Sequence, residues 1–300
     1  MPAADFSTTA RTLASLIEPF AGQVYFSPEC HANYVALGFG PSPGDANGVA
    51  LPDGPAYFTS RGSVMGQVPG EVVAAAFGVF NPEAVVPSVA KGWSLTDAAT
   101  ICQARDDGAI AQLTRILGEH PDGVERVRDL FARAADTLRP EGRPLYAGLR
   151  SQQVPGSPLG AAWRLADMLR EYRGDSHTIA YTSSGFDATE IGLVSEQWWG
   201  LPKRSYSRTR AWTDAQFDDA AERLHARGIF DGDGVLTDHG RGERERVEQI
   251  TDAQMAAPIA ALGDDAAELF GLLAPWGEAI RAARGYLGAG PHDLADAAKG

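Results

Sequence analysis

Apolar residues recur three and four positions apart over most of this chain, the spacing that lines one face of an α-helix. The first such stretch, residues 7–19, leads into Leu13, Leu16, Ile17 and Phe20 on one side, with Ser7, Thr8 and Thr9 able to cap its amino end. The pattern returns at 70–80, 82–90, 95–117 and 122–138, where Ile101, Ile110, Leu113 and Leu117 share a side of the third of these segments. Further along, helices are predicted at 158–172, 187–199, 213–227, 241–261 and 265–286. Leu159, Trp163, Ala166, Met168 and Leu169 give the first of that second group a broad apolar face, and Thr213 caps the third.

Two interruptions organise the rest. Residues 38–54 are rich in Gly, Pro and Asp, which set turns and break both periodicities, so they read as a long loop. Residues 139–158 lose the helical period and gain Pro and Gly, which places a domain boundary there. The expected fold is mainly α: an all-helical N-terminal domain at 1–148, then a helical C-terminal domain at 149–300 containing a winged-helix unit with a short β-hairpin. With 300 residues, 44% of them hydrophobic, the chain is long enough for two cores, since single domains usually hold about 100–200 residues.

The wing is expected within residues 221–252. Leu224 anchors a helix that Gly228 stops, Ile229 and Phe230 begin a strand, Asp231 to Gly234 turn, and Leu236 with Thr237 return. This string resembles the recognition helix, wing and following helix of MarR-like winged-helix regulators. In a DNA-binding member the helix at 213–227 would enter the major groove. Here it carries Asp214, Asp218, Asp219 and Glu222, offset only by Arg223 and Arg227, and the wing carries Asp231, Asp233 and Asp238. Carboxylates repel phosphate, and the whole chain has a formal charge of −13, so the expectation is no nucleic-acid partner. The exception is the basic run 203–210, with Lys203, Arg204, Arg208 and Arg210; it reads as an exposed segment balancing the acidic face beside it, or as a phosphate contact. Asp231 to Gly234 lacks the later ligands of a calcium loop.

Nearly the full length resembles a little-characterised family of about 300-residue proteins of high-GC bacteria that carry a helix-turn-helix label. The segments that carry the resemblance are Glu18-Pro19, Val24 to Glu29, Tyr57 to Gly62, Phe80 to Pro82, Leu169 to His177, and the wing. The family pattern places a His two positions after the Glu-Pro pair, where this chain has Ala21. The resemblance implies a fold and layout rather than an activity.

The densest polar constellation is Arg170-Glu171-Tyr172-Arg173-Gly174-Asp175-Ser176-His177. Gly174 reads as a helix C-cap and Asp175 as the next N-cap, turning Arg173 and His177 toward a shared interior. His177 with Asp175 then forms a catalytic acid/base pair, Asp175 orienting the imidazole, while Arg61 and Arg173 hold an anionic group. Glu18, Tyr25 and Asn81 complete the expected substrate-binding set, Asn81 also reading as a helix cap. The alternative is a structural network in which Asp175 caps and His177 is merely buried.

No nucleotide-binding, zinc-protease or serine-hydrolase motif is present, so no cofactor and no metal are expected. Cys30 and Cys102 have no C-x-x-C partner, which fits a reducing cytoplasm, and no apolar run approaches a membrane span of about 18 residues. The leading expectation is a small-molecule-processing enzyme or binder acting on an anionic substrate by acid/base elimination, cyclisation or related chemistry, in the setting of specialised metabolite biosynthesis. A ligand-responsive regulator is the second reading and a protein-interaction partner the third, with a homodimer open in each.

Overall fold

A computed structural model describes residues 3–298. In chain order the helices of the first part are α1 (Ala3–Gly22), α2 (Pro28–Ala36), α3 (Gly54–Gly62), α4 (Gly70–Phe77), α5 (Pro82–Leu95), α6 (Ala98–Leu117), α7 (Val124–Ala135) and α8 (Pro144–Ser151). There follow α9 (Pro158–Ser183), α10 (Ala188–Trp198), α11 (Asp214–Ala226), α12 (Asp238–Ala253), α13 (Ala256–Leu262), α14 (Ala266–Ala282) and α15 (Pro291–Ala297). The fold is mainly α, as the periodicity requires. Its one ladder among the described residues pairs β1 (Asp45–Ala46) with β2 (Val49–Ala50) inside the 38–54 loop, so the N-terminal part is not wholly helical. Asn47 and Gly48, both at positive φ, make the turn.

Local signals hold at the ends of several helices. Asp187 and Thr213 build capping boxes with Glu190 and Gln216 at the starts of α10 and α11, and Ser157 caps α9 ahead of a Pro at its first turn. The wing also forms, closed by one antiparallel bridge between Phe230 and Leu236 rather than by a ladder.

Three expectations are corrected. The segment 139–158 contains α8, whose Leu145, Tyr146 and Leu149 are buried against the neighbouring helices. The long helix expected at 241–261 divides at Gln254 and Met255, because Pro258 lacks an N–H and its ring clashes with the carbonyl four residues back. The helix that begins at Pro158 does not stop at Gly174 but runs 26 residues to Ser183.

Buried apolar residues form two clusters. The larger draws on α1 to α9 as far as Tyr172 and takes in Met255 to Leu287 from the C-terminal helices, while the smaller runs from Ala180 to Val247. Residue 148, where the sequence suggests a boundary, lies inside α8. Helix α9 contributes Leu159, Trp163 and Leu169 to the first cluster and Ala180 and Tyr181 to the second, so one rigid element spans both. Among the described residues, no helix is long and apolar enough to cross a membrane.

Candidate functional site

Where α9 passes from one cluster to the other, it carries a stretch of polar residues instead of apolar ones. Two cavities of about 330 and 300 Å³ adjoin there, sharing Arg61, Arg170, Gly174, His177 and Trp199 in their walls. The first is closed by Ile17 and Glu18 of α1, Trp198 at the end of α10, and Arg244 and Glu248 of α12. The second is lined by Tyr57, Phe77 and Phe80 on one side and Ser195, Tyr206 and Arg210 on the other. Gly174 keeps the floor between them open: a Cβ there would meet only the Glu171 carboxylate, at 3.6 Å.

Continuity of α9 decides which groups face this groove. Residues two apart on a helix point to different sides, so Asp175 and His177 do not pair. Asp175 instead lies buried on the far side and accepts the backbone N–H of Tyr146 at 3.0 Å. Helix α8 has no side-chain cap from its N-cap residue, and this remote carboxyl satisfies the N–H of its third residue. Burial pushes the Asp175 carboxyl up to about 7, against the pull of that N–H.

His177 lines both cavities. Its Nδ1 lies 3.2 Å from the Thr251 hydroxyl, whose own hydrogen is committed to the Val247 carbonyl at 2.8 Å. With the Thr251 hydrogen on Val247, the hydroxyl accepts from a protonated Nδ1, the tautomer in which Nε2 carries the lone pair, and Nε2 has no hydrogen bond among the described residues. Burial, reinforced by the charges of Arg244 and Arg173 against the opposing pull of Glu248, pushes the imidazole down to about 4. The ring is neutral at physiological pH.

The arginines expected to grip an anion already hold carboxylates. Arg61 is bidentate to Glu171, at 3.0 and 2.8 Å, with Tyr57 accepting a third bond and the Phe77 ring 4.4 Å from its guanidinium carbon. Tyr25 donates to the same Glu171, and Arg170 joins Glu171 to Glu18. Burial alone would raise the Glu171 carboxyl, but Arg61 and Arg170 outweigh it and hold it at about 2. Arg173 pairs with Glu248 at 2.6 Å and Asp252 at 2.7 Å, and Arg244 with Glu248 at 2.8 Å and Ser195 at 3.0 Å.

Of the residues singled out from the sequence, Glu18, Arg61, Arg173 and His177 therefore share the groove wall, and Tyr25 braces it from behind through Glu171. Asn81 caps α5 by accepting the Glu83 N–H, and its amide donates to Ala211 and Gln216, clipping the 207–212 turn in place. Thr251, Arg244 and Glu248 escape the sequence reading, which names Arg170 and Glu171 in the polar constellation and Arg210 in the basic run without giving them a place in the site. Arg164, Asp167 and Glu171 at helical spacing on α9 are all buried, and charged residues repeating along a core-facing stripe are the signal that marks part of this network.

Helix α10, the 207–210 turn and α12 form one wall of the groove, with α11 and the wing packed outside them. On its outer surface Arg204 pairs with Asp218 at 2.6 Å and Arg208 with Asp214 at 2.7 Å, so much of the basic run neutralises α11. Arg223 and Arg227 turn toward Asp187 and Glu190 of the preceding cap. No curated protein and no solved structure matches the chain. A family model does match, over residues 10–287, and the chain accordingly belongs to a helix-turn-helix family.

Proposed function

We propose that the groove over Gly174 is a small-molecule site and that the protein is an enzyme or binder in which His177 takes part in proton movement, the helix-turn-helix half serving as its wall. The carrying observation is the His177 imidazole: its Nδ1 rests on the Thr251 hydroxyl, and its Nε2, with no hydrogen bond among the described residues, belongs to a ring that lines both cavities. A neutral imidazole with a free lone pair can accept a proton from a bound hydroxyl, N–H or activated C–H. An anionic ligand beside it would raise its proton affinity from the empty-site value, bringing the group toward the range useful for general acid/base work. Elimination, cyclisation or isomerisation of a small substrate fits such a group. The salt bridges that fill the groove fix its shape and leave the reacting position to His177.

A regulator that senses a ligand in the same groove is the second reading, favoured by membership of a helix-turn-helix family. The charge on α11 weighs against it.

The test compares wild type with His177→Gln and Gly174→Leu in a mixed small-molecule extract, read by mass spectrometry for compounds retained on the protein and compounds consumed. Retention by wild type and His177→Gln, loss of retention in Gly174→Leu, and consumption by wild type alone is the expected result. Retention that Gly174→Leu leaves unchanged would put the ligand elsewhere and sink the reading.

A further inference from the structure

Among the arginines that line the groove, Arg210 differs from the rest. Arg61, Arg170, Arg173 and Arg244 each rest on a carboxylate, so Glu18, Glu171, Glu248 and Asp252 cancel them charge for charge. Arg210 has no carboxylate within ion-pair distance among the described residues. Its polar side-chain contact is Nη2 donating to the Tyr206 hydroxyl. The guanidinium carbon lies 4.5 Å from the centre of the Phe80 ring and 4.7 Å from that of Tyr206, contacts that restrain it while no other hydrogen bond among the described residues takes up its remaining N–H groups.

The side chain is held there by design of the backbone. Arg210 ends the short 3-10 turn Ser207–Arg210, and Ala211 follows in the left-handed region at φ 63°. The Asn81 backbone N–H donates to the Arg210 carbonyl at 2.9 Å, and the Asn81 amide to that of Ala211 at 3.0 Å. At the other end of the turn, buried Glu196 accepts the Ser207 N–H and hydroxyl at 3.0 and 2.8 Å. Its neighbours in the basic run are engaged outside, Arg208 with Asp214 and Arg204 with Asp218. Arg210 alone of these three arginines turns into the cavity that Phe77, Phe80, Trp199 and His177 also line.

We infer that Arg210 is the anchor for a single negative charge on a compact aromatic ligand, most simply an aromatic carboxylate, whose ring lies among Tyr57, Phe77, Phe80 and Trp199. This rests on the groove being a ligand site. A planar guanidinium with free donors matches a carboxylate in geometry. One uncompensated cation in an otherwise neutral groove selects a monoanion, and no carboxylate lines this cavity to oppose it. A cavity of about 300 Å³ lies at the small end of ligand pockets and holds one ring with a short side chain. A hydroxyl or acidic hydrogen on that ligand would meet His177 from within the same cavity.

The experiment titrates the full chain calorimetrically at pH 7.5 with 4-hydroxyphenylacetate, its neutral amide and phenyl phosphate. The acid is expected to bind saturably, with the amide and the dianionic phosphate at least about tenfold weaker. In Arg210→Gln the acid should fall to the level of the amide, with amide binding unchanged. In Arg210→Lys, which keeps the charge and loses the planar fork, acid affinity should lie between. Thermal unfolding identifies any variant that has lost its fold; if Arg210→Gln has, Arg210→Lys decides. Unchanged acid affinity in the variants, or equal binding of acid and amide, overturns the assignment to Arg210. If Gly174→Leu then abolishes both ligands, the groove survives as the site; if it affects neither, the groove reading falls as well. Failure of the acid to bind at about 10 mM overturns the proposed ligand class.

Discussion

Two carboxyl groups close to His177 in sequence have opposite fates. Glu171, one and a half turns before it on α9, is buried with Arg61 and Arg170 and held ionised; Asp175 is buried facing a backbone N–H and driven toward its neutral form. The sign for Asp175 follows from linkage. Its carboxyl rises from 3.8 to about 7 on folding, so between these values the native state keeps a proton that the unfolded chain releases. Its contribution is therefore fully present below about pH 4 and fades as the pH climbs to 7. At roughly 1.4 kcal/mol per unit, the change amounts to about 4 kcal/mol. Asp175→Asn keeps the acceptor for Tyr146 without the charge. Its stability relative to wild type should rise between pH 4 and 7 by that amount and then level off, as read from denaturant unfolding at a series of pH values. A flat difference would mean that Asp175 is ionised in the native protein. Glu171 and Glu248, both held at about 2, work in the other direction, their stabilisation being lost as acid is added below the ordinary glutamate range.

Helix α9 makes the site possible because it does not break. A glycine inside a helix costs about 1 kcal/mol relative to alanine, too little to end a helix that is anchored in a hydrophobic cluster on each side of it. That cost keeps the groove floor clear. Gly174→Ala should then raise stability by about 0.5–1 kcal/mol, measured by denaturant midpoint, since no atom lies closer than 3.6 Å to the added methyl. Gly174→Leu should fold equally well and block the groove, so stability and ligand binding separate at one position. A loss of several kcal/mol in the alanine variant would show that the helix needs glycine there for its backbone. The sequence foresaw the Thr213 cap of α11, while Ser157 and Asp187 cap α9 and α10 with signals equally close to the helix start. It missed α8, whose short apolar stripe of Leu145, Tyr146 and Leu149 sits among prolines and glycines and becomes a helix by packing on α9.

Across the whole molecule, a formal charge of −13 and an outward face of α11 bearing Asp214, Asp218, Asp219 and Glu222 set the response to nucleic acid. Non-specific DNA binding relies on cations free to release counterions from phosphate. Here Arg204, Arg208, Arg223 and Arg227 are committed to carboxylates of the same unit. Duplex DNA in a fluorescence anisotropy titration at about 50 mM salt should show no binding tighter than about 100 µM. Micromolar binding that weakens steeply with salt would establish the regulator reading and displace the enzyme or binder proposed above.

The amino-acid sequence alone determined the helical class, the wing, the Thr213 and Asn81 caps and the acidity. These properties depend on composition or on residues within about four positions of one another, where backbone geometry leaves little choice. Tertiary structure decided the pairings. Arg61 meets Glu171 across 110 positions, and His177 meets Thr251 across 74. Which arginine keeps a partner and which is left free follows from how α1, α9, α12 and the 207–210 turn pack, because a buried guanidinium is stabilised by whichever carboxylate the fold brings within reach. No local pattern could have set Arg210 apart from Arg204 and Arg208, since all three stand in one basic run and only the folded chain turns one of them inward.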